Sequence, residues 1–208
     1  MSTEFLIMAV IAVISYFIGS ISTAILVGKI LGGDDIRSHG SGNAGATNAL
    51  RTYGKAAAAY VTLGDCLKTS ICCVIGIIAA HITPLGAENV KLGIYAAGVG
   101  AVIGHNFPIY FGFKGGKGIL VSITAFIFAN PLVGLTILAI CLVVIVLTKY
   151  VSLGSILGAV LFIVYVLIFR RSDSAYMIFA FTLSLIALFK HRANISRLIH
   201  GTERKIGS

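Results

Sequence analysis

The sequence predicts an all-α fold, a polytopic membrane bundle of about seven transmembrane helices, and three observations carry that prediction. Apolar residues make up 58% of the 208-residue chain and charged residues only 11%, against roughly 25% charged in an ordinary soluble domain. The mean hydropathy is +1.01. Apolar stretches recur along the whole chain, and several approach the roughly 20 residues that a helix rising 1.5 Å per residue needs to cross a hydrocarbon core.

Seven stretches fit, at residues 5–31, 56–82, 92–109, 119–129, 132–147, 155–169 and 174–189. The fourth is short and reads as a tilted, broken or partly re-entrant helix. The first has Glu4 where a signal peptide would be basic and is too long for a signal core, so it reads as a retained span. Together they are taken as one integral membrane domain over residues 1–208.

The connections are of two kinds. Residues 83–91, 130–131 and 170–173 are short and plain, whereas 32–55, 111–118, 149–152 and the tail from Lys190 are rich in Gly, Ser, Asn and basic residues. With seven spans the two kinds alternate, which puts every rich connection on one side. That side carries Lys29, Arg37, Arg51, Lys55, Lys114, Lys117, Lys149, Lys190, Arg192, Arg197, Arg204 and Lys205, 12 of the 16 Lys and Arg. The positive-inside rule makes it cytoplasmic, with the N-terminus outside and the C-terminus inside. Lys91, Arg170 and Arg171 fall on the far side, the last two against the rule. The net charge of +9 therefore points to topology, anionic lipid or phosphate-bearing substrates, and not to nucleic acid.

Glycines spaced Gly-x-x-x-Gly, at Gly28/Gly32, Gly100/Gly104 and Gly154/Gly158, suit close helix packing in lipid. Cys66, Cys72, Cys73 and Cys141 lie in apolar stretches without zinc or disulfide spacing and read as reduced core thiols.

Four polar clusters carry the chemistry. In the first, residues 38–51, Gly40, Gly42 and Gly45 formally satisfy G-x-G-x-x-G, with Asp65 lying 20 residues beyond Gly45. A membrane span on each side removes the strand that a dinucleotide fold requires. The anion-binding physics survives: backbone N–H groups of a glycine turn, a helix start, and donors on Ser41, Thr47, Asn48 and Arg51. The second cluster runs from Gly104 to Gly118 and brings Lys114 and Lys117 on a glycine hinge. It is no Walker A loop, because Phe111 and Gly118 stand where Gly and Ser or Thr are needed. The third is the short Val151-Ser152-Leu153-Gly154-Ser155. In the fourth, directly after the last span, His191 and Asn194 are three apart on an expected helix face, beside an apolar stripe of Ile195, Leu198 and Ile199 suited to the bilayer surface.

Asp65 and Lys68 lie near the middle of the second span, where a charge costs about 2.5–3.5 kcal/mol. Two readings follow: an ion or proton path, or a pair that fixes helix packing beneath the site, and the pair is preferred.

In this order, the clusters resemble the bacterial glycerol-3-phosphate acyltransferases that use acyl phosphate as donor. The residues that carry the resemblance are Ser38-His39-Gly40-Ser41-Gly42-Asn43 with Gly45-Ala46-Thr47-Asn48 and Arg51; Gly104-His105-Asn106-Phe107-Pro108 with Phe113-Lys114-Gly115-Gly116-Lys117-Gly118; residues 151–155; and His191-Arg192 with Asn194-Ile195 and Arg197-Leu198. The resemblance implies a bacterial inner-membrane enzyme with a cytoplasmic active site. It would move an acyl chain from acyl phosphate to the 1-hydroxyl of sn-glycerol 3-phosphate, giving lysophosphatidic acid and phosphate, with no metal or cofactor. By the same resemblance Ser41, Arg51, Lys117, His191 and Asn194 would be catalytic. Gly40, Gly42, Asn43, Gly45, Thr47, Asn48, His105, Asn106, Lys114, Gly115, Gly116, Ser152, Ser155 and Arg192 would bind substrate or phosphate. Membrane lipid, and an enzyme that produces acyl phosphate, are the implied partners.

The residues agree with that implication. No histidine is followed five residues later by Asp, so a His-x4-Asp acyltransferase dyad is absent. Two other classes fit part of the sequence: an organophosphate transporter, motivated by Asp65, Lys68 and the anion loops, and a structural partner in a lipid-synthesis complex. The donors' confinement to one side and the lack of an internal repeat weigh against transport.

Overall fold

The computed structural model describes residues 2–206, and every regular element among them is helical. The α-helices are α1 (Thr3–Gly19), α2 (Thr23–Gly32), α3 (Ala46–Ile82), α4 (Val90–Asn106), α5 (Ile119–Ala129), α6 (Pro131–Thr148), α7 (Val151–Phe169), α8 (Ser174–Lys190) and α9 (Arg192–Ile199), with three short 3-10 turns between them. All seven expected stretches are helical over most of their length, and the chain is a multi-pass membrane protein. By length and composition five spans qualify, with α1 and α2 counted together, and α8 with α9, bent by 58°, makes a sixth. The 11-residue α5, about 16 Å long, is too short to cross alone.

The chain divides into two compact units, Met1–Ala125 and Phe126–Ser208. In the first, α1 packs on α4 and α3 packs on α4. A Cβ at Gly100 would collide with the Ala12 backbone and one at Gly104 with the Tyr16 carbonyl, so the expected small-residue seam is real and brings α1 and α4 into backbone contact. On α3, Leu63, Leu67, Ile71, Val74 and Ile78 form an exposed apolar stripe, while Asp65, Lys68, Thr69, Cys72 and Cys73 are buried. This helix therefore turns its charges inward and its leucines toward lipid.

The first span is not the continuous helix expected over 5–31. It breaks at residues 20–22, where Ser20 Oγ donates to the Tyr16 carbonyl at 2.8 Å and Ser22 Oγ accepts from Ile25 N at 3.4 Å to cap α2. Serine hydroxyls compete with the helical ladder for backbone groups. A break inside an apolar layer leaves carbonyls in need of donors, and Lys68 Nζ donates to the Ile21 carbonyl at 2.9 Å. Lys68 also pairs with Asp65 at 2.8 Å, both side chains almost fully buried, and Thr23 Oγ1 donates to Asp65 Oδ1 at 2.6 Å. The pair thus fixes packing at the broken span, the role preferred from sequence.

A second departure lies in α3, whose helical path turns at Gly54 (φ 85°, ψ −170°). Residues 46–53 form a short separate helix, where the sequence reading put loop. Only glycine takes this backbone conformation without steric cost.

In the second unit, Phe126 stacks on Phe162 of α7 at 3.5 Å between centroids and meets Phe179 of α8 edge-on at 5.1 Å. The Cys141 sulfur of α6 lies against Gly158 of α7. All four cysteines are free thiols.

Removing one partner of a buried ion pair leaves the other uncompensated, a loss of about 3–5 kcal/mol. Lys68→Met should therefore melt far below wild type in detergent, and Asp65→Asn/Lys68→Met should recover a large part of the loss. Equal melting temperatures for the single and double variants would contradict the pairing.

Candidate functional site

The first loop leaves α2 through Gly33, in the left-handed region, and is anchored by Ile36, which is fully buried. Its shape depends on Asn48, in the first turn of α3. The Asn48 Oδ1 accepts from Ser41 N at 2.8 Å and from Ser41 Oγ at 3.2 Å, and Nδ2 donates to the Ile36 carbonyl at 3.1 Å and the His39 carbonyl at 3.0 Å. Two lone pairs and two N–H groups complete the hydrogen-bonding capacity of an amide. Asn48, expected to offer a donor to phosphate, instead ties the loop to its own helix and sets the position of Ser41. Asp34 closes the outer edge, receiving the Tyr53 hydroxyl at 3.0 Å and meeting His39 Nε2 at 2.6 Å.

Ser41 and Gly42 lie exposed at the loop tip, and Gly40 beside them is exposed as well. Asn43, Gly45 and Thr47 are half-buried and Arg51 is exposed. Gly45 caps α3 without a side-chain bond, so the helix begins on backbone N–H groups and its positive dipole end. Thr47 and Arg51 are one turn apart and share a face of this short helix.

The second loop lies against the first. Gly116 N donates to the His105 carbonyl at 3.1 Å, and a Cβ on Gly116 would collide with His105 Nε2 and crowd the Ala44 carbonyl of the first loop. A Cβ on Gly115 would meet the His105 carbonyl and Pro108. The two glycines are thus required by close approach, and they bring Lys117, half-buried, and Lys114, exposed, beside the first loop. His105 and Asn106 sit behind the glycines, 8% and 0% exposed. His105 Nδ1 lies 3.0 Å from Lys68 Nζ and 3.5 Å from Asp65 Oδ1. His105 therefore links the ion pair at the broken span to the glycine loop.

Arg37 and Asp35, absent from the expected site residues, join the two loops. Asp35 Oδ2 takes Arg37 Nη2 at 2.7 Å and Asp35 Oδ1 takes Nε at 3.0 Å, while Nη1 donates to the carbonyls of Phe111 at 2.7 Å and Lys114 at 2.8 Å. The Arg37 hydrogen bonds outweigh burial and hold the Asp35 carboxyl below its usual range. Asp-x-Arg just before a glycine-rich loop is the signal that could have marked them.

In the second unit, Ser152 and Ser155 are buried in the first turns of α7, at the start of the sixth expected span. Ser152 Oγ donates to Glu203 Oε1 at 2.9 Å. The same oxygen takes Asn194 Nδ2 at 2.7 Å, and Oε2 takes Arg197 Nε at 2.7 Å. Burial alone would raise the Glu203 carboxyl, but the bonds from Asn194, Arg197 and Ser152 hold it below its usual range. Ile206 N donates to the Lys149 carbonyl at 2.9 Å, so the tail runs back to the start of α7. Glu203 is the only acid after Lys190, a signal that the sequence offered. His191 is not in a shared helix with Asn194 but caps the junction of α8 and α9. Its Nδ1–H donates to the Ala187 carbonyl at 2.8 Å, which makes Nε2 the acceptor of the neutral ring. Arg192 lies over the Phe189 ring at 4.6 Å and donates to its carbonyl. Among the described residues no three His, Cys, Asp or Glu gather as a metal site would require.

The comparisons with known proteins agree with one another. The family model for glycerol-3-phosphate acyltransferase matches residues 9–201. A glycerol-3-phosphate acyltransferase of Finegoldia magna is 43% identical over 204 residues, 98% of each chain. Among solved structures, PlsY (YgiH), described as an integral membrane glycerol 3-phosphate acyltransferase in its glycerol 3-phosphate form, matches with a TM-score of 0.84 at 28% identity, covering 99% of this chain and 96% of that one. The lysophosphatidic acid form of that enzyme matches at a TM-score of 0.81 and 28% identity, with 96% and 95% covered. Full-length identity above 40%, a family match over nearly the whole chain and the same helical architecture lead to one conclusion: this chain belongs to the glycerol-3-phosphate acyltransferase family.

Proposed function

We propose that this protein transfers a fatty acyl chain from acyl phosphate to the 1-hydroxyl of sn-glycerol 3-phosphate, releasing lysophosphatidic acid and inorganic phosphate. It does so on the cytoplasmic side of a bacterial inner membrane, where an enzyme that makes acyl phosphate supplies the donor. One observation carries the reading. Asn48 shapes one glycine-rich loop and Arg37 joins a second to it, which brings together the loops that carry Ser41 and Lys117 and ties the first of them to the helix of Arg51. A reaction whose two substrates both carry phosphate, one of them with a long hydrocarbon tail, suits that arrangement.

The chemistry is direct attack without an acyl-enzyme. The glycerol phosphate hydroxyl attacks the acyl carbonyl carbon, the new ester bond forms, the bond from that carbon to the phosphate oxygen breaks, and inorganic phosphate leaves with the electron pair. Phosphate is a good leaving group, so the protein's work is to position both reactants and to stabilise developing charge. Ser41, Gly40, Gly42, Gly45, Thr47 and Arg51 hold phosphate from the first loop, with Asn48 setting its shape. Lys114, Lys117, Gly115 and Gly116 hold the glycerol phosphate from the second, with His105 and Asn106 supporting the glycines from behind. His191 and Asn194 act at the glycerol phosphate and the reacting carbonyl. The hydroxyl proton passes to His191 Nε2, whose lone pair the Ala187 bond leaves as the acceptor, or to a phosphate oxygen of a substrate.

Purified protein in lipid vesicles should transfer label from palmitoyl phosphate to glycerol 3-phosphate and leave palmitoyl-CoA unused. Transfer from palmitoyl-CoA alone would overturn the donor assignment, and uptake of glycerol 3-phosphate without conversion would favour transport. Ser41→Ala, Arg51→Ala and Lys117→Ala should each lower kcat/KM by about 10²-fold or more at an unchanged melting temperature, and wild-type kinetics in any of them would remove that residue from the reaction. Glu203→Gln should lower the melting temperature at neutral pH. Because the folded Glu203 carboxyl titrates below the usual value of about 4.3, its contribution is present above that pH and is lost as pH falls through the lower folded value. The melting curves of variant and wild type should therefore converge in acid, and a gap that persists there would refute the assignment.

A further inference from the structure

The turn between α4 and α5 has an unusual backbone. Gly112 and Phe113 are both left-handed, at φ 66° and φ 59°, a conformation that is sterically unfavourable for a bulky exposed aromatic such as Phe113. The carbonyls on either side of this pair, those of Phe111 and Lys114, converge on the same nitrogen, Nη1 of Arg37. The other side of the guanidinium is held in a fork by the Asp35 carboxylate. Four of the five guanidinium N–H groups are engaged, in directions that a planar fork allows and a lysine ammonium does not. Two residues beyond the Lys114 carbonyl, Gly116 N is fixed on the His105 carbonyl. The backbone leading into Lys117 is thus held at one end by Arg37 and at the other by α4.

We infer that Arg37 is a positioning residue for catalysis: gripped by Asp35, it holds the left-handed Gly112–Phe113 turn by its two flanking carbonyls and so sets where Lys117 meets the phosphate of glycerol 3-phosphate. The inference rests on the function proposed above. It adds that the two loops act as one binding element whose register is set by a single guanidinium, so that glycerol 3-phosphate affinity depends on a residue belonging to the opposite loop.

The test uses the full chain in lipid vesicles with wild type assayed alongside. Arg37→Ala should raise KM for glycerol 3-phosphate by about tenfold while KM for palmitoyl phosphate moves less than about threefold. Arg37→Lys should resemble Arg37→Ala despite keeping the charge, and added millimolar guanidinium should restore part of the lost affinity in Arg37→Ala. A residue that merely stabilised the fold would lower the active fraction, and hence Vmax, with both KM values unchanged; that result overturns the inference. So does full activity in Arg37→Lys. Should Arg37→Ala not fold, Asp35→Asn, which loosens the fork and keeps the guanidinium, carries the same KM prediction. If wild type itself converts neither donor, the proposed function fails; wild-type turnover with unshifted variants defeats the inference alone.

Discussion

The contact on which most of the first unit depends is the ammonium of Lys68 at the break of the first span. A helix interrupted inside a membrane leaves backbone carbonyls with neither water nor a following turn to satisfy them. Lys68 supplies a donor to Ile21, Asp65 neutralises Lys68 at 2.8 Å, and Thr23 at the start of α2 completes the carboxylate's shell. Each charge alone would be expensive in this position. Together they allow the break at residues 20–22 and tie α2, which leads into the first polar loop, to α3. Through His105 the same ammonium reaches the backbone under Gly116, so the polar loops rest on an electrostatic foundation set within the helices.

Above that foundation, the loops are built mainly from side chains that bond to backbone. Asn48 uses its whole amide on three loop residues, and Arg37 bonds two carbonyls of the neighbouring loop. Ser41, Arg51, Lys114 and Lys117 are then carried by a backbone that is already ordered. Preorganisation of this kind is what the direct attack proposed above needs, because there the protein's contribution is geometry and field, not bond-making.

The helices were legible because apolar runs near membrane length have few alternative explanations, and the two polar loops because their glycines, hydroxyls and cations interrupt those runs. What the sequence concealed is of one physical kind. The break at residues 20–22 sits in a run that stays apolar on both sides, and two serines there do not reveal whether they cap a helix or ride on it. Asn48 looks like a free donor until its partners Ile36, His39 and Ser41 are seen. Arg37 looks like one more interfacial cation, since the carbonyls that it bonds lie 74 and 77 residues away. Glu203 is a lone acid in a basic tail, and its partners Ser152, Asn194 and Arg197 are not evident from that position. In each case residue type was readable and the bonding partner was not, because a partner is chosen by the fold.

The kink at Gly54 bears on how this protein meets bilayers of different thickness. A long helix adapts to a thicker or thinner hydrocarbon layer by changing its tilt, and a rigid 37-residue helix would carry that motion to its polar end. With α3 interrupted, residues 55–82 and residues 46–53 are joined through the torsions of one glycine. A change of tilt in the longer segment can be taken up at those torsions, and the short helix that carries Asn48 and Arg51 is tied to its loop by the Asn48 bonds.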